Sequence, residues 1–147
     1  MEVRSKADII VSKAREWVGT PYMHGQRAKG RGTDCIGYAV RVYGELGLIP
    51  NNLKLPTVYP QEPESDIIER YVRKYLIKIE QPIPGCIGVF KFNKYPQHLG
   101  IITRLPDGAL GIIHASLLLG RVVEHYLEGS WLNWVIGYYA PQEILNG

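Results

Sequence analysis

Apolar positions recur at helical spacing in the first half of the chain and at strand spacing in the second. Ser5 and Asp8 form a capping-box-like start in which Asp replaces the usual Glu, and Ile10, Ala14, Trp17 and Val18 follow at i, i+4, i+7 and i+8. A first helix is expected from about Lys6 to Val18, stopped by Gly19 and Pro21. Residues 19–33 hold four glycines and little apolar content, which reads as an exposed loop. A second helix is expected after a cap at Thr33 or Asp34, with Ile36, Ala39, Val40, Tyr43 and Leu46 as its core face and Gly47 closing it. Residues 48–65 carry Pro50, Pro56, Pro60 and Pro63 and read as a long surface excursion. From about Ser65 to Ile79, Ile68, Tyr71, Val72, Tyr75 and Leu76 oppose Glu69, Arg70, Arg73 and Lys74, the pattern of a third, amphipathic helix.

After Pro84-Gly85 the period changes to two. Strands are expected at Cys86–Phe92, His98–Arg104, Ala109–Ala115, Arg121–His125 and Val135–Ala140, separated by turn signals such as Pro106-Asp107-Gly108. Helices followed by consecutive short strands predict an α+β fold, with N-terminal helices packed on an antiparallel sheet of about five strands. The length of 147 residues suits one core, so residues 1–147 are read as one domain. No internal repeat or low-complexity tract is evident.

Charge adds little to this picture. A formal net charge of +3 is spread along the chain without a basic stripe interleaved with aromatics, so nucleic acid is not the expected partner. The charged N-terminus lacks the apolar core of a signal peptide, and no run approaches a membrane span. Cytoplasmic synthesis without an export signal is therefore expected. Only Cys35 and Cys86 are present, which argues against a disulfide-stapled secreted scaffold, and no Cys-x-x-Cys spacing suggests zinc.

The candidate chemistry starts at Cys35, expected in the first turn of the second helix. Unpaired amides and the helix dipole there favour thiolate over thiol. The competing reading is an inert packed cysteine. His98 opens one strand and His114 nears the end of the next. A three- or five-residue loop centred on Pro106 would set them directly opposite each other on one face, so that one imidazole orients the other. Chemistry then makes His98 the base for Cys35 and His114 the residue that holds its tautomer. Tyr22, beside the nucleophile in the glycine-bearing loop, is a candidate hydrogen-bond donor to an oxyanion or to substrate, with Gln26 a weaker one. His24 and His125 read as surface histidines and Cys86 as packing.

These segments resemble the NlpC-type cell-wall cysteine peptidases, which have a papain-like α+β fold. Gly19-Thr20-Pro21-Tyr22 and Thr33-Asp34-Cys35-Ile36-Gly37 are similar to that family's tyrosine loop and its Asp-Cys-Ser-Gly nucleophile motif. Pro84-Gly85-Cys86 resembles its Pro-Gly-Asp strand, His98-Leu99-Gly100-Ile101 its His-Val-Gly-Ile base motif, and Ile113-His114-Ala115-Ser116 the segment supplying the third polar residue. The resemblance implies Cys35 as nucleophile, His98 as base, His114 as orienting residue, and Tyr22, Asp34 and Gln26 around the substrate and oxyanion. It also implies hydrolysis of peptidoglycan stem peptides, commonly between D-glutamate and the following diamino acid, with no metal or other cofactor. The loop around His24-Gly25-Gln26 looks most like the phage-tail and prophage branch, so phage-tail proteins are the partners it implies and a phage tail the place of delivery. Ile36 for Ser and Cys86 for Asp depart from the family pattern. The rival readings are an amidase or acyltransferase of the same fold, and a catalytically silent tail protein.

Overall fold

A computed structural model of the chain describes residues 4–51, 67–92 and 98–145. The proline-rich stretch, most of which falls in 52–66, and the expected start of the third helix at Ser65 lie outside the described residues. The elements are α1 (Lys6–Arg15), β1 (Arg27–Ala28), β2 (Gly32–Thr33), α2 (Gly37–Glu45), α3 (Ile67–Tyr75), β3 (Ile77–Ile79), β4 (Ile87–Phe90), β5 (His98–Arg104), β6 (Leu110–Ser116), β7 (Arg121–Tyr126), α4 (Ser130–Trp134) and β8 (Val135–Ala140), then a 3-10 turn at Gln142–Ile144.

Among the described residues the main sheet has six strands in the order β3-β8-β4-β5-β6-β7, rather than about five. All its pairings are antiparallel. The extra strand is β3, taken from the expected third helix. That helix ends at Tyr75, and Ile77–Ile79 pair with β8 as Ile77↔Ala140 and Ile79↔Tyr138. Two β-branched residues flanking a lysine fit either period, and the free edge of β8 decides for the strand. A separate hairpin, β1 with β2, interrupts the loop read as featureless.

The first helix begins as expected, with the Ser5 hydroxyl accepting from the Asp8 amide at 3.1 Å. It ends at Arg15 rather than Val18. Trp17 and Val18 donate to carbonyls three residues back, and the Gly19 amide turns outward to the Val122 carbonyl at 2.9 Å.

The sheet is covered on both faces. One face sets Val89, Leu99, Ile101 and Ile113 against Ile10 and Ala14 of α1, Tyr38 and Val42 of α2, and Ile68 and Val72 of α3. The other sets Phe90, Ile102, Ile112 and Tyr138 under Trp131 and Trp134 of α4, a short helix with no counterpart in the sequence reading. Each fully buried Ile or Val contributes roughly 1.5–3 kcal/mol. Helix α2 buries Tyr38, Ala39, Val42 and Tyr43, whereas Ile36, Val40 and Leu46 are only half-buried. The expected face was misplaced because Ile36 lies before the helix rather than inside it.

The β5–β6 turn also differs. Leu105 N–H donates to the Ala109 carbonyl at 2.8 Å, closing a three-residue loop centred on Asp107 rather than Pro106. Gly108, at φ 91°, takes the left-handed step such a loop needs, and the Asp107 carboxylate accepts from Ala109 N–H at 3.0 Å. The register is Ile101↔Ile113, which places His114 beside Gly100, two residues along β5 from His98. The shift is an even number of residues, so both histidines keep the same face.

Candidate active site

Three backbone amides organise the approach to Cys35. Buried Asp34 accepts through one carboxylate oxygen from Ile36 N–H at 3.2 Å and Gly37 N–H at 2.8 Å, and through the other from Gly25 N–H at 2.7 Å. It therefore caps α2 and ties the glycine-bearing loop to it. This is a structural role for Asp34, distinct from the substrate or oxyanion role that the resemblance implies for it. Gly37 lets the loop close: a Cβ there would collide with the Gln26 carbonyl, Arg27 and Thr33. Gln26 itself is exposed, and its backbone carbonyl accepts from Asp34 N–H at 3.2 Å.

Cys35 lies just ahead of α2 rather than in its first turn, and is 7% exposed. The expected lowering of its pKa is not found. Burial, then the neighbouring Asp34 charge, pushes the thiol up to about 12, against a smaller opposite effect from the backbone amides of Leu99 and of Cys35 itself. The Leu99 amide hydrogen-bonds the sulfur, so the thiol meets β5 one residue beyond His98. One turn further along α2, the buried Tyr38 hydroxyl accepts from Ile101 N–H at 3.1 Å and donates to the Ile113 carbonyl at 2.6 Å. Cys35 and Tyr38 thus dock on alternate amides of β5 that point toward β6. The paired register of these two strands begins at Ile101↔Ile113.

From the other face come the histidines. His98 Nε2 and His114 Nδ1 are 2.9 Å apart, with the rings nearly perpendicular. They meet as diagonal rather than directly opposed neighbours, a separation that aromatic side chains span. Burial drives both pKa values down, that of His98 to about 4 and that of His114 to about 2, with neighbouring imidazoles adding to the effect. Both rings are neutral at ordinary pH, and so is the thiol.

His125, read from sequence as a surface residue, joins this row. Its Nε2 is 2.8 Å from His114 Nε2, and its Nδ1 is 2.9 Å from the Tyr126 carbonyl oxygen. Trp131 lies against all three rings, with centroids 6.0, 4.6 and 5.2 Å from His98, His114 and His125. Phe92 covers His98 from a further side at 5.2 Å. Strand parity could have found His125: a four-residue turn, 117–120, puts it on the same face as His114. Trp131 had no such signal, since its position depends on how α4 folds back.

Tyr22 is half-buried and close enough to Cys35 and Asp34 to feel their charge. Burial first, then those two groups, raises its hydroxyl to about 12, so it remains a hydrogen-bond donor. Its backbone is held by Gly120 and by a bridge to Thr33. Cys86 is fully buried on the α4 face, and neither cysteine is in a disulfide. Among the described residues no group of three His, Cys, Asp or Glu side chains could hold a metal ion, and no helix is long and apolar enough to cross a membrane.

No protein-family model and no curated protein matches the chain. Solved structures do. A Staphylococcus aureus subsp. aureus Mu50 protein described as similar to lipoprotein, NLP/P60 family, superimposes with a TM-score of 0.63 at 19% identity, over 96% of this chain and 43% of that one. An NlpC/P60 family protein from Bacillus cereus ATCC 10987 gives 0.65 at 17% identity, over 95% and 41%. The NlpC/p60 domain of the peptidoglycan hydrolase SagA gives 0.57 at 20% identity, over 92% and 98%. The chain spans less than half the length of the first two. At this level of identity the likeness establishes the α+β NlpC/P60 fold.

Proposed function

We propose that this chain, which carries the NlpC/P60 fold, is a cysteine endopeptidase acting on peptidoglycan stem peptides. The observation that carries the reading is the docking of the Cys35 sulfur on the Leu99 amide, next in the chain to a buried His98 already paired with His114. The description of a structural neighbour as a peptidoglycan hydrolase supports the substrate class.

His98 Nε2 is engaged with His114, which leaves Nδ1 to act on the thiol. With both partners neutral, His98 takes the Cys35 proton as the sulfur attacks the peptide carbonyl, rather than beforehand. The tetrahedral oxyanion accepts a hydrogen bond from the Tyr22 hydroxyl. Its collapse breaks the C–N bond, and His98 passes the proton to the leaving amine. Water then attacks the thioester, giving one proton to His98. The C–S bond breaks and that proton returns to sulfur. The bond between D-glutamate and the diamino acid is the proposed site of cleavage, and a phage tail the proposed vehicle.

The test is mass spectrometry of muropeptide digests made with the wild-type protein and with Cys35→Ala. Release of fragments with a new free amine on the diamino acid, from the wild type alone, is expected. Transfer of the acyl group to an added amine would reassign the protein as an acyltransferase, and identical digests from both would leave a silent structural protein.

A further inference from the structure

We propose that His125 is a positioning residue that sets the proton pattern of the whole histidine row and so keeps His98 Nδ1 free of a proton. The inference rests on the peptidase reading for its catalytic meaning, but the proton pattern itself follows from the hydrogen bonds.

The proton positions are fixed from the surface inward. A backbone carbonyl can only accept, so His125 Nδ1, at 2.9 Å from the Tyr126 oxygen, carries a hydrogen. In the state in which the His125 imidazole carries a single N–H, that hydrogen sits on Nδ1 and Nε2 accepts. The nitrogen facing it at 2.8 Å, His114 Nε2, must then donate. With its hydrogen on Nε2, neutral His114 accepts at Nδ1, so His98 Nε2 donates across 2.9 Å. Neutral His98 is left with an unprotonated Nδ1. Three rings in series thus carry the polarity of one carbonyl to the base, and each hydrogen bond allows only one assignment once the first is made.

The hydrogen bond between His98 and His114 does not by itself set this direction. His114 alone is compatible with either direction, because each of its nitrogens can donate or accept. Without an acceptor at position 125, the His114 proton is free to move to Nδ1. His98 Nε2 then has to accept, and the His98 proton goes to Nδ1, where it blocks the base. The burial of His98 and His114 under Trp131 keeps the rings neutral and dry enough for the pattern to hold.

The experiment reads tautomers and turnover separately. In full-length Cys35→Ala protein labelled with nitrogen-15, the imidazole chemical shifts report which ring nitrogens are protonated, whatever the activity. The expected pattern is His98 protonated at Nε2 and bare at Nδ1. In the same background His125→Gln keeps it, since the side-chain oxygen accepts from His114 and the amide donates to Tyr126. His125→Lys, which can only donate in its charged form, reverses it, with the His98 proton moving to Nδ1. With Cys35 restored, His125→Lys lowers kcat by about a hundredfold with KM little changed, within the range of a general base, and His125→Gln recovers most of that loss. A protonated Nδ1 on His98 in the starting protein, or one tautomer in all variants, overturns the inference. The expected tautomers without turnover on cell-wall peptides uphold it and remove the peptidase reading instead.

Discussion

Tyr38 donates its hydroxyl proton to the Ile113 carbonyl oxygen at 2.6 Å while accepting from Ile101 N–H, and so places a side chain of α2 between two strands of the sheet. The link fixes the start of α2, and with it Cys35, against β5. Removing the hydroxyl in Tyr38→Phe strands a buried donor and a buried acceptor. Denaturant unfolding should show a loss of about 1–3 kcal/mol, and muropeptide turnover should fall further than stability accounts for at temperatures where the variant is folded.

Acid should destabilise the protein through its buried histidines. His98 binds a proton near 6.5 when unfolded but only at about 4 when folded, because burial penalises its charged form. The unfolded state therefore holds more protons as pH falls. The stabilisation is complete above pH 6.5 and is lost progressively between 6.5 and about 4, by roughly 3 kcal/mol for this one group. Urea midpoints measured across that window should fall with pH, and should fall less steeply in His98→Gln, where only the His114 contribution remains.

Thiol alkylation should show no preformed thiolate. Burial raises Cys35 and Cys86 alike to about 12. The rate at Cys35 should climb steadily from pH 7 to about 10, without a plateau near neutrality. A plateau below pH 7 would mean a stable thiolate–imidazolium pair, and the concerted proton transfer described above would have to be abandoned.

Trp131 forms the apolar roof over the histidine row and meets Phe90 edge-on at 5.0 Å. Trp131→Ala should admit water and let the pKa of His98 and of His114 rise toward the ordinary value, as followed by NMR titration. The truncation should also cost about 2–4 kcal/mol in thermal or urea unfolding.

Asp34→Ala removes the acceptor for three amides at once. A loss of about 1–3 kcal/mol is expected, larger than for an exposed helix cap, because the same carboxylate also holds the loop bearing Tyr22. Hydrogen exchange at Gly25 and Gly37 should speed up in this variant while β5 stays protected.

The main elements, and the shared face of two histidines, were legible from residue order. Ser5 caps the first helix, His98–Arg104 and Val135–Ala140 are strands with the bounds that alternation predicts, and the shared face of His98 and His114 follows from the period of two. These features are local: each depends on a residue's own neighbours along the chain. The sixth strand, the face of α2 and the position of Trp131 over the histidine rings were settled only when distant segments met. Ile77–Ile79 became a strand because β8 offered an edge, and the pKa of Cys35 rose because the folded chain buried the thiol beside Asp34. Periodicity and capping are written in sequence because they depend on covalent spacing. Register, desolvation and the direction of a proton along three rings are not, because each is set by what the other side of the molecule brings into contact.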